Sequence, residues 1–281
     1  MRRVLRHYEN FSVLDQNFDG LVEHFEQKIY GTLKGQIRLQ LLKNELQHYL
    51  QQRSLKSGAK ESLKILDIAG GLGQLSIWLA SMGHEVTYVD ISEQMLSKAQ
   101  QNAKETGVYD NIQWIHAPFQ QLVQPDDNIT SSAHLPRGPF DLILAHAVLE
   151  WLADPYQGLQ AILSLLSPET ALSLAFYNRQ AIILHNVLRG NFRKVLSDDF
   201  RGEAGGLTPL NPLNPADIRS FIHNHHLNIK REMGLRSFYD YLPRPVKEKI
   251  SSEDILQMEQ KLAHQQPYTD MARYVHFFIS R

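Results

Sequence analysis

The stretch ILDIAGGLG at residues 65–73 constrains the chain more than any other part of its sequence. A short apolar run led by Ile65 and Leu66 ends on an acid, Asp67, passes through small residues and gives way to helix-forming sequence from Gln74. The pattern predicts a strand, a tight turn and a helix. Small residues at Ala69, Gly70, Gly71 and Gly73 let the backbone approach a ligand closely, and the helix start offers unpaired N–H groups to anionic parts of that ligand. Taken alone, the stretch fits a nucleotide-like ligand or an ordinary glycine-containing turn.

A second acid narrows the choice. A helix over 74–82 stops at Gly83, and a strand over 84–89 closes on Asp90. An acid at the end of the second strand, roughly 20 residues beyond the glycine loop, is placed to accept hydrogen bonds from two ribose hydroxyls. A helix over 92–106 and a strand over 112–116 follow, and 117–121 lies where an adenine ring can be enclosed by apolar groups and a polar side chain. Residues 124–138 have loop composition. The fourth strand, 140–145, is nearly all apolar, as a buried parallel strand should be, and runs into HAVLEWLADP. A helix to 166 leads to a fifth strand over 171–176 that ends in Tyr177 and Asn178.

Beyond it the pattern predicts a helix over 179–196, loops over 197–214, a helix over 215–225, a strand within 227–239, a helix over 251–265 and a last strand over 273–280. Alternating strands and helices with a late strand pair imply an α/β, doubly wound sheet whose site lies at the carboxyl ends of its strands. The expected organisation is a single domain over 1–281. Residues 1–58 supply an extension and N-terminal helices, 59–178 a cofactor-binding core, and 179–281 a helical and looped insertion with the rest of the sheet, on the substrate side.

Residues 1–16 show no sustained periodicity, whereas Phe18, Leu21, Val22, Phe25 and Ile29 have helical spacing. Tyr30 and Gly31 break that run, and Thr32 is placed to cap a second helix. Lys34 and Arg38 then lie one turn apart, where two cations either hold a carboxylate or face water. With 281 residues, 43% of them hydrophobic, the chain has the composition of a globular protein. It has no cysteine, which excludes disulfides, thiolate metal sites and cysteine nucleophiles. The start MRRVLRHYEN lacks the apolar segment of a secretory signal, and no apolar run reaches about 18 residues, so a cytoplasmic protein without a membrane partner is expected. Residues 1–178 carry 14 Lys and Arg against 19 Asp and Glu, while 179–281 carry 15 against 11, so the second part is mildly basic. His223, His225 and His226 read as exposed residues at a helix end, and no metal is expected.

The loop does not supply the G-x-G-x-x-G of dinucleotide folds: counted from Ala69 the last position falls on Gln74, and from Gly71 on Ser76. It resembles the first motif of class I S-adenosylmethionine-dependent methyltransferases, an acid followed by G-x-G-x-G. Here that motif reads Asp67, Ala69, Gly71, Gly73, with an alanine that fits the first position if its φ stays negative. The resemblance implies a Rossmann-like, mostly parallel sheet of seven strands. Four stretches are more particular: NFDGLVEHFEQKIYGTLKGQIR, ILAHAVLEWLADP, LAFYN with HNVLRGNF, and QPYTDMARYVHFFIS all resemble the bacterial tRNA 5-carboxymethoxyuridine methyltransferase family. That family converts the carboxylate of a modified wobble uridine into its methyl ester. The resemblance implies S-adenosylmethionine as cofactor, contacted by Arg38, Ala69, Gly70, Asp90, Phe119, Gln120 and His146, with the neighbouring Gly71 in the same loop, and the anticodon loop of tRNA as partner.

The implied chemistry needs no catalytic base. A carboxylate of pKa about 4 is ionised near neutrality, and the protein has only to desolvate and aim it. A cationic or hydroxylic clamp is required, for which Arg273, Arg236, Tyr177, Tyr30 and Lys34 are the candidates. Two rival readings share the cofactor site: a methyltransferase acting on a small-molecule carboxylate or other small acceptor, and a cofactor-binding module without turnover. Arg179, Arg189, Arg193, Lys194, Arg201, Arg244, Lys247 and Lys249 give the first reading a phosphate-binding surface that its rivals do not need.

Overall fold

Near-continuous apolar runs become parallel strands buried on both faces, and amphipathic segments between them become the covering helices. The computed structural model describes residues 15–27, 31–57, 62–123, 138–200 and 208–281; the candidate Tyr30, most of the expected loop at 124–138 and Arg201 lie outside them. In chain order the elements are α1 (Val22–Phe25), α2 (Leu33–Ser57), β1 (Lys64–Ile68), α3 (Gln74–Ser81), β2 (Glu85–Asp90), α4 (Glu93–Glu105), β3 (Ile112–His116), β4 (Leu142–His146), α5 (Pro155–Ser164), β5 (Ala171–Tyr177), α6 (Arg179–Leu188), α7 (Phe192–Leu196), α8 (Pro215–Asn224), β6 (Asn228–Leu235), α9 (Arg244–Lys247), α10 (Ser252–Leu262), α11 (Tyr268–Met271) and β7 (Tyr274–Ser280).

The seven strands form one sheet in the order β3-β2-β1-β4-β5-β7-β6. The pairs β1–β2, β1–β4, β2–β3 and β4–β5 are parallel, while β7 runs antiparallel to both β5 and β6. The order reverses between β1 and β4, where a doubly wound sheet opens a crevice. Since β6 thereby runs the same way as β5, its end and the start of β7 reach the same edge of the sheet as the ends of β1 to β5. Ile143, Ala145, Leu159, Ile162, Ile218 and Ile222 pack on one face, and Ile37, Leu41, Leu46, Leu79, Leu142 and Leu144 on the other. Among the described residues no helix is long and apolar enough to cross a membrane.

Two expected helices differ. Among the described residues of the run over 18–29, the helix starts only at Val22 and runs through α1 into a π-helical turn at 26–27, because Asn17 Oδ1 accepts from the Asp19 N–H in a local turn, Gly20 is left-handed at φ 79°, and Phe18 turns its ring to Trp151, 4.9 Å away edge to face. The helix expected over 179–196 is two helices, α6 and α7, divided at Gly190 with φ 71°. Asp67, expected to end its strand, lies within β1, which continues to Ile68.

Helix α2 is strapped to the sheet at two places, and this aims its first turns at the strand ends. Arg53 Nη2 donates to Asp141 Oδ1 at 2.6 Å. Glu45, 3% exposed, accepts from Arg231 Nε at 2.5 Å on β6 and lies 3.3 Å from His264 Nε2. Burial by itself would raise the Glu45 carboxyl, but hydrogen bonds from His264 and Arg231 and the surrounding positive charge hold it down at about 2. Its contribution to stability is therefore present above the ordinary glutamate range and disappears as pH falls toward 2. Glu45→Gln is expected to lower the free energy of unfolding by about 1–3 kcal/mol at pH 7 in urea titrations. The gap from the unsubstituted protein should narrow below pH 4.5, the carboxyl's ordinary value.

Candidate active site

The glycine loop holds its shape through contacts that only small residues permit. A Cβ on Gly70 would lie 2.5 Å from Tyr88 Cε2 and 2.9 Å from Asp67 Oδ2. The fully buried Tyr88 donates its hydroxyl to Gly71 O at 2.6 Å, fixing the loop to β2. Ala69 does not keep the negative φ expected of it: it is left-handed at φ 52°, held there by its N–H bond to Val89 O at 2.7 Å. An alanine in that region carries roughly 1–2 kcal/mol of strain. Ala147 after β4 (φ 60°) and Arg236 after β6 (φ 64°) are strained in the same way, so three strand ends at one edge of the sheet carry left-handed non-glycine residues.

At the end of β2, Asp90 is almost fully buried and oriented. Its Oδ1 accepts from the Ser92 N–H at 2.9 Å, and its Oδ2 from the Gly71 N–H at 3.2 Å and the Tyr88 hydroxyl at 3.3 Å. Burial pushes its carboxyl up to about 6. Asp67, hydrogen-bonded by Ser76 Oγ at 2.6 Å, is pushed up to about 7 by burial, with the charge of Asp90 acting in the same direction.

These residues open onto two adjoining cavities that share Arg38, Ala69, His146, Ala147 and Tyr274. The larger is lined also by Gly71, Asp90, Phe119 and Gln120, and the smaller by Asp67, Gly70 and Gln74. Every residue expected at the cofactor, namely Arg38, Ala69, Gly70, Gly71, Asp90, Phe119, Gln120 and His146, thus meets one continuous space. Three of the residues lining it carry a buried polar atom, Gln74 Oε1, Gln120 Oε1 and His146 Nδ1, with no hydrogen-bond partner among the described residues. Two carbonyl acceptors, a ribose-spaced acid and a loop with no room for a Cβ fit a nucleoside bearing amino groups at both ends, as S-adenosylmethionine does.

The expectation for His146 offered cofactor contact or a satisfied buried bond, and the ring has access to both. Its Nε2 is 2.8 Å from Ser173 Oγ, which is 2.7 Å from His276 Nε2, while the residue lines the cavity and its buried Nδ1 has no hydrogen-bond partner among the described residues. One serine hydroxyl between two ring nitrogens donates to one and accepts from the other, so the tautomers of the two rings are coupled. Burial, followed by the nearby positive charge, holds His146 well below its ordinary value, and burial holds His276 at about 4 against the opposing charge of Glu45. Both rings are neutral near pH 7. Glu150, fully buried after β4, is pushed up to about 7 by burial and acts electrostatically on Arg38 and Tyr274.

The segment before α1 closes over the larger cavity. Asp15 accepts from Gln120 Nε2 at 3.0 Å and from the Ala153 N–H at 3.0 Å, the Gln16 N–H bonds Trp151 O, and Asp19 accepts from Ser92 Oγ at 2.6 Å. Asp15 and Gln16 fall in the stretch without periodicity and the helical spacing from Phe18 says nothing of Asp19, so the sequence points to no such role.

Four of the clamp candidates gather beside Tyr274. Asp240, 8% exposed, accepts from Arg236 Nε at 2.8 Å, with Arg273 Nε 3.6 Å and Lys34 Nζ 3.7 Å away. Arg273 Nη1 donates to the Tyr177 hydroxyl at 3.0 Å. The Tyr274 ring has Arg38 at 5.4 Å and Arg236 at 5.7 Å from its centroid, which joins this cluster to the cavity. Burial disfavours the Asp240 charge, yet Arg236, Arg273 and Lys34 hold its carboxyl below the ordinary aspartate range. Asp240 escaped sequence reading, and its only signal was an acid four residues after Arg236. His223, His225 and His226 are exposed at the end of α8.

The raised carboxyls at Asp67 and Asp90 predict a pH dependence. Between pH 4 and 7 the folded chain binds protons there that the unfolded chain has released, so these groups make stability fall as pH rises. Asp67→Asn is expected to gain stability relative to the unsubstituted protein as pH goes from 4 to 8, by up to about 4 kcal/mol, in paired thermal and urea unfolding of the ligand-free protein.

Comparison with known proteins agrees with this geometry. Residues 65–169 match the model of a methyltransferase domain. The magnesium protoporphyrin IX methyltransferase of Synechocystis PCC 6803, solved with bound SAH, superposes with a TM-score of 0.54 at 19% identity over 100% of both chains, which shows the fold. A ubiquinone biosynthesis O-methyltransferase of Caulobacter sp. (strain K31) is 35% identical over 119 residues, 42% of each chain. The tRNA 5-carboxymethoxyuridine methyltransferase of Escherichia coli (strain K12) is 38% identical over 262 residues, 93% of this chain and 95% of that one. With a likeness that extends past the shared core through nearly all of both sequences, the chain belongs to the tRNA 5-carboxymethoxyuridine methyltransferase family.

Proposed function

We propose that the protein methylates the carboxylate of 5-carboxymethoxyuridine at the tRNA wobble position, using S-adenosylmethionine, and that residues 179–281 form its substrate side. Beyond family membership, one observation carries the reading: Lys34, Arg236 and Arg273 converge on the single buried carboxylate of Asp240, next to the cavity. That excess of positive charge suits an anionic acceptor.

In this reading Asp90 accepts the ribose hydroxyls, Phe119 and Gln120 hold the adenine, and Gly70, Gly71, Gln74 and Arg38 hold the amino-acid end. When bound, S-adenosylmethionine supplies an electrophilic methyl group on a cationic sulfur. The acceptor carboxylate is already ionised at neutral pH and needs no base. One of its oxygens forms the new C–O bond as the S–CH3 bond breaks, and the bonding pair stays on sulfur. Opposite charges vanish in the step, so a dry site favours it, whereas a clamp that gripped the ion too tightly would stabilise the ground state more than the transition state. Asp240 moderates the clamp, and Arg273 with Tyr177 aims the carboxylate. A neutral His146 adds no repulsion beside the cationic donor.

Incubation with methyl-labelled S-adenosylmethionine and bulk bacterial tRNA is expected to place label in RNA in an alkali-labile form, as a methyl ester requires. Label found only in small molecules would favour a small-acceptor methyltransferase, and cofactor binding without transfer a non-catalytic module. Arg273→Ala is expected to reduce kcat/KM about 100-fold, equivalent to about 2.7 kcal/mol of transition-state stabilisation. Arg273→Lys should recover little of it, because an ammonium cannot supply the planar fork. Full turnover with unchanged tRNA affinity in Arg273→Ala would remove that residue from the clamp.

A further inference from the structure

The corner between α6 and α7 is pinned by hydrogen bonds and yet exposes apolar side chains. Gly190 is left-handed, the Asn191 N–H bonds Asn186 O at 2.9 Å, and Asn191 Nδ2 donates to Asn186 Oδ1 at 3.1 Å. The buried Asn186 in turn donates to Ile182 O at 2.8 Å. On this fixed turn Val187, Leu188, Phe192 and Leu196 are 42%, 63%, 58% and 85% exposed. They make up half of the eight large exposed hydrophobics among the described residues, within a ten-residue span. Interleaved with them, Arg189, Arg193 and Lys194 are also exposed, and none has a salt-bridge partner among the described residues.

The patch continues into the cationic cluster. His185 on α6 feels the charges of Arg273, Arg189, Asp240 and Lys34, and Lys247 on α9 those of Asp240, Lys34, Arg189 and Arg236. A ten-residue helix is about 15 Å long, which keeps the corner within a few nucleotides of the clamp. Apolar exposure alone would suit a protein partner. Cations without a salt-bridge partner among the described residues, alternating with apolar side chains that include Phe192, suit single-stranded nucleic acid, whose bases stack while its phosphates meet the charges.

We propose that the α6–α7 corner is a docking platform for the unpaired bases flanking the methylated nucleotide. Phe192 and Leu188 form its stacking surface, and Arg189, Arg193 and Lys194 meet the phosphates. The proposal rests on the RNA-methylating reading and adds to it the place where the loop is held. Phe192→Ala, and separately Arg189→Glu with Arg193→Glu, are expected to raise KM for tRNA containing 5-carboxymethoxyuridine about tenfold, with calorimetric affinity for S-adenosylmethionine and thermal stability unchanged. Phe192→Trp should restore KM, and the double charge reversal should flatten the dependence of log K for tRNA on log salt by about 1.4, at about 0.7 for each single-strand phosphate no longer neutralised. Failure of the unsubstituted protein to methylate any tRNA would defeat the underlying reading. Methylation with KM unmoved by both sets of substitutions would overturn the platform alone. So would a self-association or protein contact that Phe192→Ala abolishes while KM for tRNA stays put.

Discussion

The antiparallel pairing of β7 with β5 on one side and β6 on the other decides what kind of site this sheet can build. Parallel strands β1 to β5 already create a crevice where their order reverses, with a glycine loop at β1 and an acid at β2. Inserting β7 reverses the chain direction, so the residues just before it and just after β6 arrive at the same edge. Tyr177, Tyr274 and Leu235 fall into register across the three strands, which sets Arg273 beside Tyr177 and Arg236 over the ring of Tyr274 in the cavity wall. Without that pairing the two arginines would belong to unrelated parts of the chain.

The same edge concentrates features that cost stability elsewhere in proteins. Three left-handed non-glycine residues, two raised aspartates, a buried glutamic acid and a neutral histidine lie within it. Burial shifts every one of these groups toward its uncharged form, and a dry, low-charge lining suits a reaction in which charges cancel. The surrounding structure holds the arrangement through Tyr88 on the loop, Ser173 between two histidines, and Glu45 and Arg53 on α2. Asp240 does the same for the cations and keeps them close together despite their repulsion.

Much of this is legible in the sequence because periodicity and turn chemistry are local. Strand β3 matches its expected bounds, the other strands lie within two residues of theirs where bounds were given, and the loop, Asp90 and the stretch after β4 all line the larger cavity. The failures have physical causes. The helical spacing that starts at Phe18 is overridden over 18–21 by an Asn-initiated turn and by the pull of Trp151 on Phe18. Ala69 takes a positive φ because a bond to Val89 outweighs the strain of one methyl group. The strap at Asp15 and Asp19 and the Ser173–His276 relay carry no pattern in sequence, and Asp240 only its spacing from Arg236, since the strap, the relay and the approach of Arg273 and Lys34 to Asp240 depend on partners brought together from distant segments.

By itself the sequence determined the order of strands and helices, the small-residue loop after the first strand, the acid at the end of the second and, through long particular stretches, the family. Those properties follow from side-chain size, polarity and spacing along a few neighbouring residues. Only the tertiary structure decided that Lys34, Tyr177, Arg236 and Arg273 meet around Asp240, that His146 is neutral and tied to His276, and that the α6–α7 corner stands exposed beside them. Hydrogen bonds, burial and charge act through space, and it takes the folded sheet to turn separations of tens to hundreds of residues into a few ångströms.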